Sequence, residues 1–342
     1  MVQDSFNNDS IGSMVQDSFN NDSIGSMVQD SFNNDSIGSM VQNSFNNDSI
    51  GSMVQNKLSI MAIYGPGFWG TMNKLEWGIC HRGKNQSPVN IVPEDLLFDP
   101  GLKHIQISGN KVSSTMNNLG NALVLYVNSS HGDEILFSIG PLSYTYRLHQ
   151  IRVHFGRDDS RGSEHTIDGK TFAAEIQFLA YNTDLYHNFS QAVVSPRGIA
   201  AIAVFVQTKG NLSHQELEKI IENIEDVRFK GTSTPLKHLY IQKLIPRSLH
   251  YVTYDGSITH PGCHETVTWM IMNKPIYAGS QQIDAFRKLR QSGPENPMAF
   301  FRDNFRPTMP VNRRSIRTNI NFVVKGCSME RNMHYQGMCY AN

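Results

Sequence analysis

The chain has 342 residues, with 30 Lys and Arg against 30 Asp and Glu, so its formal net charge is zero. That balance argues against a nucleic-acid binder, which ordinarily carries a basic excess, and gives no reason to expect an acidic substrate or an anionic membrane surface. Apolar residues make up 39% of the chain, enough for a full core, and no apolar run approaches the roughly 20 residues a membrane-spanning helix needs.

The N-terminus is repetitive. "MVQDSFNNDSIGS" fills 1–13, 14–26 and 27–39, recurs as "MVQNSFNNDSIGS" at 40–52, and "MVQN" at 53–56 opens a further copy. The unit is rich in Asn, Asp, Ser and Gly. It holds too few large apolar residues to repay its ordering entropy, so residues 1–56 are expected to be disordered tandem repeats. No basic segment followed by an apolar one marks a secretory signal.

From residue 57 the character changes. Short β-rich segments follow one another: "HIQIS" (104–108), "ALVLYV" (122–127), "EILFSI" (134–139), "TYRLHQIRVHF" (145–155), "FAAEIQFLAY" (172–181), "IAAIAVFVQ" (199–207), "LYIQKLI" (239–245) and "ETVTWMIM" (265–272). Turn chemistry separates them, as in "NSSHGD", "RDDSRG" and "YDGS". Ser213 and Glu216 form a capping-box pattern, followed by Leu217, Ile220, Ile221 and Ile224 at helical spacing. Ile283, Phe286 and Leu289 mark a second, weaker helix. The pattern predicts one large, mostly β domain over 57–324 with a few short helices, then an irregular tail with two cysteines over 325–342.

One segment carries unusual chemistry. In "QIRVHFG" (150–156), Arg152 and His154 stand two apart, and a strand points both at the same face. Two histidines so spaced would suit a metal. A guanidinium cannot, because it stays protonated and has no lone pair to give.

Several stretches together resemble the α-carbonic anhydrase family: "FWG" (68–70), "QSPVNI" (86–91), "RLHQIRVHFG" (147–156), "GSEHTIDGKTFAAEIQF" (162–178), "YVTYDGSITHPGCHETVTW" (251–269) and "NFRP" (304–307). The resemblance implies a central, twisted, mainly antiparallel sheet of about ten strands and a conical cleft with zinc at its floor. The family's three zinc-ligand histidines fall here on Arg152, His154 and Gln177, so two imidazoles are replaced. A catalytic zinc needs three good donors and an open position, and a guanidinium about 4 Å away would add several kcal/mol of repulsion. No zinc cofactor is therefore expected. Asn121 takes the family's proton-shuttle position and cannot titrate. Thr259 stands where the acceptor of the zinc-bound water stands, Glu164 where its carboxylate partner stands, and His260 follows. These vestigial cleft residues are weighed chiefly as buried polar groups needing partners. Arg152 is expected to fill the vacated metal volume and pair with Glu164 or Gln177.

This set of replacements, with "IRVHFG", "MNKP" (272–275) and "RTNINF" (317–322), looks most like the non-catalytic carbonic anhydrase-related X and XI group. That resemblance implies a secreted or cell-surface pseudoenzyme used as a protein-binding module, with neurexins, presynaptic adhesion receptors, as partners. It also implies a disulfide between Cys80 and Cys263; the alternative is two buried thiols. For Cys327 and Cys339 two readings stay open, a local bond or one to a partner. Asn128, Asn188 and Asn211 open N-x-S sequons, which with the cysteine pair support a secretory, glycosylated protein. Two competing functions are kept: a weak or metal-altered anhydrase, and a purely structural matrix protein.

Overall fold

The β-rich segments assemble into one dominant sheet. The computed structural model describes residues 65–128, 134–248, 250–295, 300–301 and 303–322, together with the backbone of two strands in the tail, Cys327–Met329 and Gly337–Cys339. The N-terminal repeats of 1–56 lie outside the described residues. The chain divides into two units between Met72 and Asn73. The described part of the first is a 3-10 turn, Pro66–Phe68, running into one helical turn, Trp69–Met72.

The second unit holds the sheet. In chain order its strands are β1 (Asn90–Ile91), β2 (Leu97–Phe98), β3 (Ile105–Ser108), β4 (Lys111–Asn118), β5 (Leu123–Asn128), β6 (Leu136–Ile139), β7 (Tyr146–Phe155) and β8 (Thr166–Ile167). There follow β9 (Ala174–Asn182), β10 (Ile199–Thr208), β11 (Ser233–Tyr240), β12 (Tyr251–Gly256), β13 (Val267–Met272), β14 (Ile276–Ala278) and β15 (Arg317–Thr318). Thirteen of these form one sheet, and ten lie on a continuous path, β11-β4-β5-β7-β9-β10-β13-β12-β15-β2. Most pairings are antiparallel; β10 runs parallel to β13 and β14, and β15 to β2. The expected ten strands match the path, and β3, β6 and β14 add to it.

Burial explains why some strands are legible and others are not. Every residue of β9 is buried, as are the first eight of β10. A central strand covered on both faces reads as a continuous apolar run. In β10, Ala200, Ile202, Val204 and Val206 join one apolar cluster, and Ile199, Ala201, Ala203 and Phe205 the other. β4, "KVSSTMNN", buries Ser114 and Asn118 beside Val112 and Met116, so polar residues hide its alternation. Asn118 is satisfied inside: its amide donates to the carbonyls of Val227, Arg228 and Arg290.

Two expected elements are corrected. "LYIQKLI" is not one strand: β11 ends at Tyr240, and Ile241–Leu244 is a helical turn whose Ile241 and Leu244, three apart, both enter the core. The helix after residue 213 spans Gln215–Ile221 and is capped by His214, not Ser213. Glu216 does not reach back to the cap. Its buried carboxylate accepts from Lys219 Nζ at 2.9 Å and from the Tyr240 N–H at 3.0 Å. The second helix, Ser280–Phe286, buries Ile283, Phe286 and, just past its end, Leu289.

Cys80 and Cys263 form a disulfide across 183 residues of sequence. In the tail, the antiparallel backbone register sets Cys327 opposite Cys339; their side chains lie outside the described residues.

Candidate functional site

A bulge in β7 sets the phase of the site. Register slips between Leu148 and Gln150, so Leu148 and then Ile151, Val153 and Phe155 all face the larger apolar cluster. Without the extra residue, strict alternation would send Arg152 and His154 into that cluster. With it, they point to the opposite face. On neighbouring β9, Ile176 and Phe178 take the apolar side, which leaves Glu175 and Gln177 beside them. Register sets Arg152 opposite Gln177 and His154 opposite Glu175.

These side chains are knitted into a buried polar floor. The Gln177 amide donates to Glu164 Oε2 at 2.8 Å and to Glu175 Oε1 at 2.9 Å. Two carboxylate neighbours fix which end of the amide is nitrogen. Its oxygen, Oε1, therefore faces His154 Nε2, at 3.2 Å. The other nitrogen, Nδ1, lies 2.8 Å from the Asn304 carbonyl oxygen. Both ring nitrogens of His154 thus meet acceptors.

Beneath lies a second layer. Glu175 Oε2 accepts the N–H groups of Glu164 and His165, and Oε1 pairs with His165 Nδ1 at 2.8 Å. Burial pushes the Glu175 carboxyl up, but His165 beside it, with hydrogen bonds from His165 and Gln177, outweighs that and holds it below the usual carboxylate range. Glu164 Oε1 accepts the Arg306 N–H at 2.9 Å. The buried Arg306 guanidinium donates to Gln86 Oε1 and to the carbonyls of Ser87 and Cys80. The disulfide and the floor are thereby linked through one residue, by its main-chain N–H on one side and its guanidinium on the other.

This donor set does not fit a catalytic zinc. Such a site takes three lone pairs converging on one point. Arg152 has none to give, His154 Nε2 is turned to an amide oxygen, and that oxygen is the one donor atom Gln177 could offer. Among the described residues, no group of three or more His, Cys, Asp or Glu side chains is placed to hold a metal ion.

Arg152 is 8% exposed. Among the described residues its guanidinium makes no ion pair or hydrogen bond, and its Nε is shut from solvent without a partner. The expected contacts to Glu164 or Gln177 are not made; those two groups bond to one another, and Glu164 also accepts the Arg306 N–H. Burial pulls the guanidinium's pKa down, and the neighbouring Tyr126 and Glu164 oppose this. Burial first, and then the charge of Arg152, push the His260 imidazole well below the usual histidine range. Its Nδ1 faces the Pro261 carbonyl at 3.2 Å, and its Nε2 is shut from solvent without a partner.

Thr259 is buried, and among the described residues no hydrogen bond joins it to Glu164, whose oxygens go to Gln177 and Arg306. Asn121 is exposed in the turn before β5. Asn128, Asn188 and Asn211 are exposed as well, and Asn188 caps a short helix, Phe189–Ala192, by accepting from the Gln191 N–H. Sequence reasoning passed over Glu175, His165, Asn304 and Arg306 as site residues. Glu175 and His165 stand inside the quoted "GSEHTIDGKTFAAEIQF", and Asn304 and Arg306 inside "NFRP", but nothing in periodicity marks a charged residue that is wholly buried.

The family model for eukaryotic-type carbonic anhydrase matches residues 64–320. A Caenorhabditis elegans protein named putative carbonic anhydrase-like protein 2 is 43% identical, over 76% of this chain and 78% of that protein. Putative carbonic anhydrase-like protein 1 of the same organism is 33% identical, over 76% of this chain and 88% of its own length. With a thirteen-stranded sheet carrying a buried polar floor, and a family match over most of its length, the chain belongs to the eukaryotic-type carbonic anhydrase family, among its carbonic anhydrase-like members.

Proposed function

We propose that the protein is a catalytically inactive carbonic anhydrase-related protein, of the X and XI kind, that works outside the cell as a protein-binding module. The observation that carries the reading is the commitment of His154 Nε2 to the Gln177 amide oxygen beside a guanidinium. A floor arranged in this way generates no metal-bound hydroxide, so CO2 hydration by that route is lost. The Cys80–Cys263 disulfide and three exposed sequon asparagines support an oxidising, secretory route. The resemblance to the X and XI group supports a neuronal surface receptor of the neurexin type as the partner.

Two measurements test this. Metal analysis and stopped-flow CO2 hydration on protein secreted from cells should give no zinc and no activity above buffer; stoichiometric zinc with sulfonamide-sensitive turnover would establish the anhydrase instead. Neurexin ectodomain should be captured from cell-surface extracts, and comparing capture with and without reductant tells whether Cys327 or Cys339 bonds to it. Failure to capture any neurexin under either condition would sink the partner assignment.

A further inference from the structure

We propose that the former metal position is an anion site, in which Arg152 binds a small free carboxylate through its guanidinium. The inference rests on the reading that zinc does not occupy this floor, and goes beyond it. A buried guanidinium with no hydrogen-bond or ion-pair partner is costly, because its desolvation is only partly repaid. Glu164 acts on Arg152 through its charge without touching it. Glu164 spends one oxygen on the Arg306 N–H and the other on Gln177. Glu175 spends one on two backbone N–H groups and the other on His165 and Gln177. Both carboxylates are turned to these other donors and neither touches Arg152, whose Nε has no partner.

The chemistry of the group selects the ligand. A guanidinium presents a planar fork that matches the two oxygens of a carboxylate better than a spherical halide. At 8% exposure, Arg152 offers nothing to the surface of a folded partner, which leaves a small free anion as the ligand. The second contact is assigned to His260, whose Nε2 is likewise buried without a partner. A carbonyl can only accept, so the Nδ1 facing Pro261 carries the proton and Nε2 presents a lone pair. That lone pair suits an O–H group, on the ligand or on a water held with it. Acetate, formate and hydrogencarbonate share the required fork-matching edge, and the last also carries the O–H.

The test uses the full chain, with zinc content measured first. Acetate, formate and hydrogencarbonate are titrated in place of chloride at constant sodium concentration, with calorimetry and arginine Nε–H NMR as readouts. One arginine Nε–H signal, missing from the spectrum of Arg152→Gln, should shift saturably. Acetate affinity should fall about tenfold or more in that variant, the loss expected for a hydrogen bond to a charged group, with Arg152→Lys in between. A tighter fit for hydrogencarbonate than for acetate would assign the O–H contact to His260. An arginine signal that does not move, or equal affinity in wild type and Arg152→Gln, overturns the site. If Arg152→Gln misfolds, Arg152→Lys, which lacks the same Nε–H, supplies the assignment. Zinc-free protein that ignores carboxylates refutes this inference alone, whereas zinc-loaded protein refutes the inactive reading.

Discussion

If two residues disarm the floor, replacing both should re-arm it, and the structure says how the parts would fit. In Arg152→His/Gln177→His, register sets the two new imidazoles directly opposite each other on β7 and β9, with His154 two residues along. The carboxylates of Glu164 and Glu175, which now hold the Gln177 amide, are placed to hold one N–H of an imidazole at 177 and turn its other nitrogen inward. Loss of the amide oxygen also frees His154 Nε2. The larger energetic change comes at 152. A guanidinium about 4 Å from a divalent ion costs about 8 kcal/mol at an effective dielectric of 20, or between five and six powers of ten in affinity. Zinc competition against a chelator, with metal content by mass spectrometry, should show one zinc per chain in the double variant and none in wild type. Gln177→His alone should bind several powers of ten more weakly than the double variant. If that single variant binds as tightly, the charge of Arg152 does not control this site and the reasoning fails.

Two further outcomes follow from the same geometry. The Cys80–Cys263 bond closes a loop of 183 residues, for which chain entropy predicts about 5 kcal/mol; Cys80→Ala/Cys263→Ala should lower Tm by about 10–20 °C for a domain of this size, and a drop of only a degree or two would show that the bond constrains little. His260 is held neutral in the fold, with Arg152, His154 and His264 the charged or titratable groups acting on it. Its folded pKa lies below the unfolded value of about 6.5, so the unfolded state binds more protons under that pH and stability is lost as pH falls. His260→Gln should flatten the fall below about pH 6.5 by up to about 1.4 kcal/mol per pH unit, measured by denaturant unfolding across pH; an unchanged slope would mean that His260 does not carry it.

The sequence displayed the central sheet because its middle strands are apolar on both faces, as β9 and β10 are. It concealed β4, where Ser114 and Asn118 are buried and the partners of Asn118 come from distant segments. It misled at Ile241–Leu244, where β-branched residues suggested a strand but apolar spacing of three packs a helical turn. At the site, strand spacing put Arg152 and His154 on one face, and the family resemblance added Gln177 to the same floor. Their bonding was not legible: which way the Gln177 amide points depends on two carboxylates, 13 and 2 residues away, and the main-chain acceptor for His154 comes from residue 304.

That bonding separates two replacements that look alike in sequence. Gln177 is satisfied entirely within the protein: its two donors meet carboxylates, and its oxygen meets an imidazole. Breaking such a set strands buried charge, so changes at 177 act mainly on stability. Arg152 shares the same floor and has no comparable contact among the described residues. A side chain with nothing bonded to it has little to lose in the unliganded fold, and its removal would relieve the cost of burying a charge. Arg152→Gln should therefore leave Tm unchanged or raise it, while Gln177→Ala lowers it by several degrees. Retention of a costly guanidinium where glutamine or methionine would pack more cheaply is explained if the charge acts on something the protein meets. A clear destabilisation by Arg152→Gln in carboxylate-free buffer would instead make the residue part of the scaffold.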